Sequence, residues 1–184
     1  MYKRQLYEYL FGIVITPVTG VAVWEETVEP YMITDLEDGR VLGMFYLDMF
    51  PRDGKYKHFA SFGVVGGKRL SDGRYRRPTN VLVCNFPPAT LDRPSLLSFS
   101  ETETLFHEFG HLLHACMTTS EIGSFAGTSV PRDFVEYPSQ VHEMWVYWPE
   151  VLANYAVHYE TGEPIPQDLL DNCLLYTSPS PRDA

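Results

Sequence analysis

The stretch ETETLFHEFGHLLH, residues 101–114, decides how the rest of the chain is read. Leu105, Phe109, Leu112 and Cys116 recur at three- and four-residue intervals, the period that gathers side chains onto one helical face, so a helix is predicted over 101–117. Ser100 and Glu103 have the spacing of a capping box, in which hydroxyl and carboxylate each satisfy a backbone N–H that the first turn leaves unpaired. On that helix His107 and His111 lie one turn apart on one face, so both imidazoles can converge on a single cation. Glu108, one step round, can reach a water at that cation without becoming a ligand itself. Zinc lowers the pKa of a bound water from about 16 towards about 7, and a neighbouring carboxylate can then take its proton. The HExxH pattern therefore points to metal-assisted hydrolysis with Glu108 as general base.

A hydrolytic zinc takes a third protein ligand and keeps a fourth position open. Glu121, Asp133, Glu136, His142 and Glu143 are the downstream candidates. The longer pattern HExxHxxGxxH is excluded, because His114 stands at its glycine and Met117 at its last histidine. Glu136 falls on a second predicted helix, opened by Asp133 and continuing through Trp145, where a thermolysin-like site presents its glutamate. Its competing role is as the capping-box partner of Asp133. His114 lies too far along the axis, at about 1.5 Å of rise per residue, to share an ion with His107 and His111. It is read as a supporting or core histidine, and His58, His142 and His158 as ordinary ones.

Upstream of this helix the pattern changes to β. Residues 6–13 read as the end of a helix, 21–34 are rich in strand formers, and Glu37-Asp38-Gly39-Arg40 is a hairpin turn leading to a second strand over 41–50. Residues 63–78 are rich in Gly and Arg and read as a mobile excursion, whose Arg74, Arg76 and Arg77 are taken as solvated rather than as an anion grip. Val81–Phe86 is a short apolar run suited to a buried or edge strand. Downstream, Pro149 opens a further helix expected to run to Tyr159, before Gly162. The expected fold is α+β and mainly helical, with a small sheet preceding the HExxH helix.

At 184 residues the chain has room for one domain with a real core, and 45% hydrophobic residues argue against disorder. Asp and Glu outnumber Lys and Arg by 24 to 14, which disfavours nucleic acid and anionic membranes as partners. Cys84, Cys116 and Cys173 form no CxxC pair, which suits a reducing compartment such as the cytoplasm. Lys3 and Arg4 before Leu10–Ile15 do not make a signal peptide, because Glu8 interrupts the run and Pro17 and Gly20 break it.

Both ends read as foreign. CLLYTSPSPRDA, residues 173–184, is a Ser/Pro-rich tail with no apolar face, and it corresponds in frame to a transposase adapter used in sequencing libraries. MYKRQ, residues 1–5, corresponds to the reverse complement of the same element, with GTG as start codon. The native stretch is therefore expected to be 6–172.

Taken together, ETETLFHEFGHLLH and GTSVPRDFVEYPSQ resemble the family of thimet oligopeptidase, oligopeptidase A and dipeptidyl carboxypeptidase, as do YLDMFPRDGKYKHFASFG and NFPPATLDRPSLLSF upstream. The similarity runs over nearly all of 6–172. It implies a partial catalytic domain with a zincin-like core, one Zn2+ held by His107, His111 and Glu136, and short peptides as substrates. Ligating imidazoles usually donate their other N–H to a partner, and Gln140 and Glu143, one and two turns after Glu136, are candidates. Gly127 and Thr128, in the loop between the helices, are candidates for contact with substrate backbone, although turn geometry explains the glycine equally well. The family's oxyanion-stabilising histidine and tyrosines come from a C-terminal segment with no counterpart in these residues. Such donors account for about 100 to 1,000 in rate, so the chain as written is expected to bind zinc weakly and turn over slowly. A non-catalytic module using the same ligands is the competing reading. Endopeptidase and dipeptidyl carboxypeptidase action stay unseparated.

Overall fold

The computed structural model describes the backbone of residues 2–177 and the side chains of 6–172. Helix α1 (Tyr2–Phe11) is followed by β1 (Ile13–Pro17), β2 (Glu29–Asp35) and β3 (Val41–Asp48). Next come β4 (Ala60–Val65), the two-residue strands β5 (Lys68–Arg69) and β6 (Tyr75–Arg76), and β7 (Thr79–Val83). Helix α2 (Phe99–Cys116) leads through a loop to α3 (Arg132–Val135) and α4 (Tyr137–Met144), and a 3-10 turn at Trp145–Tyr147 precedes α5 (Pro149–Tyr155) and α6 (Gln167–Thr177). This is an α+β arrangement. Residues 178–184 of the expected tail lie outside the described residues, and α6 continues past Asn172, where the helical pattern was expected to stop.

One five-stranded sheet has the order β1-β2-β3-β7-β4, with β3 and β7 parallel and the other neighbours antiparallel. The β2–β3 hairpin turns where Asp-Gly was expected: Gly39 takes φ 70°, and the Asp35 and Asp38 carboxylates accept the backbone N–H groups of Glu37 and Arg40. Strand β1 buries Ile13 and Ile15 alternately, whereas β7, inside the sheet, buries four residues in succession. Its apolar residues Val81, Leu82 and Val83 are consecutive rather than alternating, which is why periodicity left its place in the sheet open.

Helix α2 lies across one face of the sheet. Its Leu105, Phe106, Leu112, Leu113 and Cys116 share a core with Ile13, Ile15, Ile33, Phe45, Leu82 and Cys84. Cys84 and Cys116 are buried, and burial pushes the Cys116 thiol up to about 12, so it stays protonated in the core. Among the described residues no helix is long and apolar enough to cross a membrane.

Several expected boundaries shift. The strand expected from residue 21 begins at Glu29. The helix cap is Ser98 with Glu101 rather than Ser100 with Glu103; starting at Phe99 lets that ring pack on Tyr147 at 5.3 Å. The excursion over 63–78 is largely ordered: it holds the end of β4 and the β5–β6 hairpin, pinned by Tyr75 Oη to Thr118 O at 3.2 Å and Arg69 to Glu121 at 2.8 Å. Its arginines are engaged locally, Arg74 with Asp72, Arg76 with the Gly66 carbonyl and Arg77 over the Tyr75 ring. The second helix expected from Asp133 is two helices, α3 opening after Pro131 without a side-chain cap and α4 starting after Glu136. The Asp133–Glu136 capping box is thus not formed. Helix α5 ends at Tyr155, four residues short of Tyr159, where the Ala156 backbone turns out of helix (ψ 62°) and Val157 pairs with Pro164.

Candidate metal centre

His107 and His111 project from one face of α2, as a one-turn separation requires. Their Nε2 atoms lie 3.2 Å apart. Glu136, at the joint between α3 and α4, brings Oε2 to 3.3 Å from His107 Nε2 and 3.0 Å from His111 Nε2. The three atoms form a nearly equilateral triangle. Ligands about 2.0–2.1 Å from a tetrahedral zinc stand about 3.3–3.4 Å from one another, so the triangle is the size such an ion needs. Three lone-pair atoms this close repel each other. A proton can sit between only two of them, whereas a divalent cation satisfies all three. These residues are the described group of His, Cys, Asp and Glu that could hold a metal. The imidazoles are recessed, with side-chain exposures of 23% and 13%, while Glu136 is 51% exposed, so the group opens to solvent on the carboxylate side.

Surrounding contacts orient this set. His107 Nδ1 lies 2.5 Å from Glu143 Oε1, which places the proton on Nδ1 and leaves the Nε2 lone pair facing Glu136. Burial lowers the pKa of His111, with the nearby Glu136 opposing, so its imidazole is held neutral as a ligand must be. Its Nδ1 is buried without a hydrogen-bond partner among the described residues. Ser139, fully buried, donates to the Glu136 carboxylate at 3.0 Å. Gln140, expected there, is exposed instead, with its backbone N–H on the Glu136 carbonyl at 2.9 Å.

Glu108 points towards the sheet side of the group. Burial lifts its pKa above the ordinary carboxylate range, while the nearby His107 imidazole and the Ser61 backbone N–H pull the other way. Ser61 belongs to β4, the edge strand, whose Phe62, Gly63 and Val64 are exposed.

Glycine at 110 is explained by packing. A Cβ there would stand 2.7 Å from Ser139 Cα and 3.0 Å from the His142 ring, so α2 and α4 approach this closely because position 110 has no side chain. A glycine in a helix interior costs about 1 kcal/mol against alanine, and that cost was the readable signal of a close approach. Ser61 left no such signal, because a backbone donor carries no residue signature. His142 is buried, accepted by the Pro138 carbonyl and stacked on Tyr7 at 5.4 Å, which removes it from the ligand candidates. His114 is half-buried beside Phe134. Gly127, with φ 58°, is buried against Ala115, and Thr128 beside it is exposed.

Residues 3–180 match the model for "Peptidase family M3". Similar curated proteins include a thimet-like oligopeptidase of Dictyostelium discoideum, 40% identical over 91% of this chain, and oligopeptidase A of Escherichia coli, 40% identical over 92%. The dipeptidyl carboxypeptidase of Escherichia coli is 37% identical over 87%. The chain spans about a quarter of the length of these relatives, 25%, 25% and 23%.

Proposed function

The chain belongs to peptidase family M3, and from that premise we propose that it carries the zinc-binding part of a metallopeptidase that hydrolyses peptide bonds in short oligopeptides. The observation that carries this reading is the triangle of His107, His111 and Glu136, whose edges of 3.0–3.3 Å suit one small divalent ion. When bound, zinc supplies Lewis-acid chemistry, acidifying water and polarising a carbonyl. Glu108 is the general base that takes the proton of the attacking water, and it then delivers a proton to the departing amine. Its burial favours both roles, because a carboxyl lifted above its usual range holds a proton more readily. Glu143 keeps His107 in the tautomer that offers Nε2, and Ser139 fixes the Glu136 oxygen. The exposed edge of β4 offers unpaired backbone groups to an extended peptide beside Glu108. A zincin-like core is the arrangement these roles describe.

The 184-residue chain should bind Zn2+ yet cleave a quenched fluorescent peptide slowly, because no oxyanion donor is assigned among the described residues. Zinc titration followed by a peptidase assay tests both halves; rapid cleavage by this chain overturns the second. A metal-binding module without turnover is the alternative, and Glu108→Gln in a full-length version separates the two. We also infer that residues 1–5 and 173–184 derive from adapter DNA, with 6–172 native and the enzyme cytoplasmic. Sequencing the source gene across both junctions decides that point.

A further inference from the structure

Helices α2 and α4 run antiparallel, and their contacts advance along both in step. Gly110 lies against Ser139, His107 meets Glu143, and Glu103 accepts a hydrogen bond from the Tyr147 hydroxyl. Three and then four residues back along α2 answer to four and four forward along α4 and its 3-10 extension, so successive rungs stand about one turn, roughly 4.5–6 Å, apart. The first two rungs sit at the metal centre. The third lies about a turn beyond it.

We propose that the Glu103–Tyr147 pair is a positioning clamp for the metal centre, fixing the register of the two helices so that the Glu143 carboxylate meets His107 Nδ1. The proposal rests on the metal-site reading above. Helix α4 is short, eight residues with no side-chain cap at its start, so its own backbone does little to hold it in place. At its far end Tyr147 closes the 3-10 turn, and the chain leaves at Trp148 in an extended conformation (φ −70°, ψ 126°). Slipping α4 by one residue shifts it about 1.5 Å and rotates each side chain about 100°, which takes Glu143 off the imidazole. The third rung resists that slip because Glu103 and Tyr147 are both half-buried, and a half-buried carboxylate that loses its donor is penalised. The Tyr147 ring is separately seated on Phe99, so removing the hydroxyl leaves the packing in place.

The test measures Co2+ affinity of the whole chain from its visible absorption, with Zn2+ affinity by competition and circular dichroism to verify folding. Tyr147→Phe should weaken both metals about tenfold, the low end of what orienting partners contribute, and shift the Co2+ band. Glu103→Leu should do the same, whereas Glu103→Gln, which keeps an acceptor for the hydroxyl, should restore affinity to within about twofold. In a Glu143→Ala background Tyr147→Phe should cost nothing more, since the clamp acts through that carboxylate. A folded Tyr147→Phe chain with unchanged affinity, or one whose loss persists undiminished in the Glu143→Ala background, overturns the clamp. No metal uptake by the unaltered chain sinks the metal-centre reading, and the clamp with it.

Discussion

Two clusters of recessed polar groups among the described residues are built on opposite principles. Around Asp48, at the end of β3, every charge is answered from within the protein. Arg52 donates to both carboxylate oxygens at 2.7 and 2.8 Å, Trp24 Nε1 adds a bond at 3.0 Å, and the Lys55 ammonium lies 2.8 Å away. Lys55, its side chain 3% exposed, directs its three N–H donors at the Asp48, Phe50 and Cys84 carbonyls at 2.6–2.9 Å, tying the ends of β3 and β7 to the turn after β3. Around His107 the arrangement differs: among the described residues two imidazoles and a carboxylate face each other as a group that could hold a cation. A cluster complete in itself is architecture. One that could take a cation from outside is a candidate site. The difference teaches that burial of charge alone does not mark function; what marks it is a donor–acceptor account that fails to close.

That contrast can be broken most forcefully at Glu108. In a full-length version, Glu108→Gln should lower kcat about 100- to 10,000-fold while zinc content by atomic absorption stays at one per chain; retained activity would falsify the general-base role. Lys55→Met comes next. It should destabilise the chain by about 3–5 kcal/mol in urea, because a buried carboxylate loses one partner and three carbonyls lose their donor. The molecules that remain folded should bind zinc as before, and a large drop in their affinity would show that the two clusters are not separate. Glu143→Ala should reverse the signature, weakening zinc about 10- to 100-fold with little change in stability.

Gly110→Ala acts on the boundary between the two kinds of region. The added methyl meets Ser139 Cα at 2.7 Å, so α4 must move, and overpacking of this kind costs about 1–3 kcal/mol. Metal affinity should fall along with stability, since α4 carries Glu143 and follows Glu136; affinity unchanged by the methyl would mean the helices can part without disturbing the ligands. The smallest effect is a pH dependence. Burial raises the Asp48 pKa, but the bonds from Arg52, Lys55 and Trp24 outweigh it and hold the carboxyl at about 2, against 3.8 ordinarily. A folded pKa below the unfolded one stabilises the fold fully above about pH 4 and loses that contribution as pH falls towards about 2. Urea midpoints across that window should decline more steeply for the native chain than for Asp48→Asn, and parallel curves would remove Asp48 as the cause.

How much of this was legible can be judged residue by residue. The α2 helix was readable because its apolar period is a local property, and the pairing of His107 with His111 follows from helical geometry alone. The β2–β3 hairpin was readable from Asp38-Gly39. Helix starts were harder: two Ser/Glu pairs, 98/101 and 100/103, compete for one cap, and the choice falls to whichever start lets Phe99 pack. The order of the strands was out of reach, since β7 pairs with β3 and β4 across stretches of chain that carry no pairing signal.

By itself, then, the sequence determined the kind of chemistry: a helix bearing two imidazoles and a carboxylate in HExxH spacing, with Glu136 and Glu143 among a handful of downstream carboxylates. Only the tertiary structure decided which of these meet. It set Glu143 on His107, replaced Gln140 with Ser139 beside Glu136, brought the Ser61 N–H of an edge strand to Glu108, and closed Lys55 onto three carbonyls. The physical reason is one of range. Helical period and turn chemistry act over a few residues, whereas a hydrogen bond between residues 107 and 143 exists only after a core has packed two helices against each other, and at Gly110 that packing turns on the absence of one methyl group.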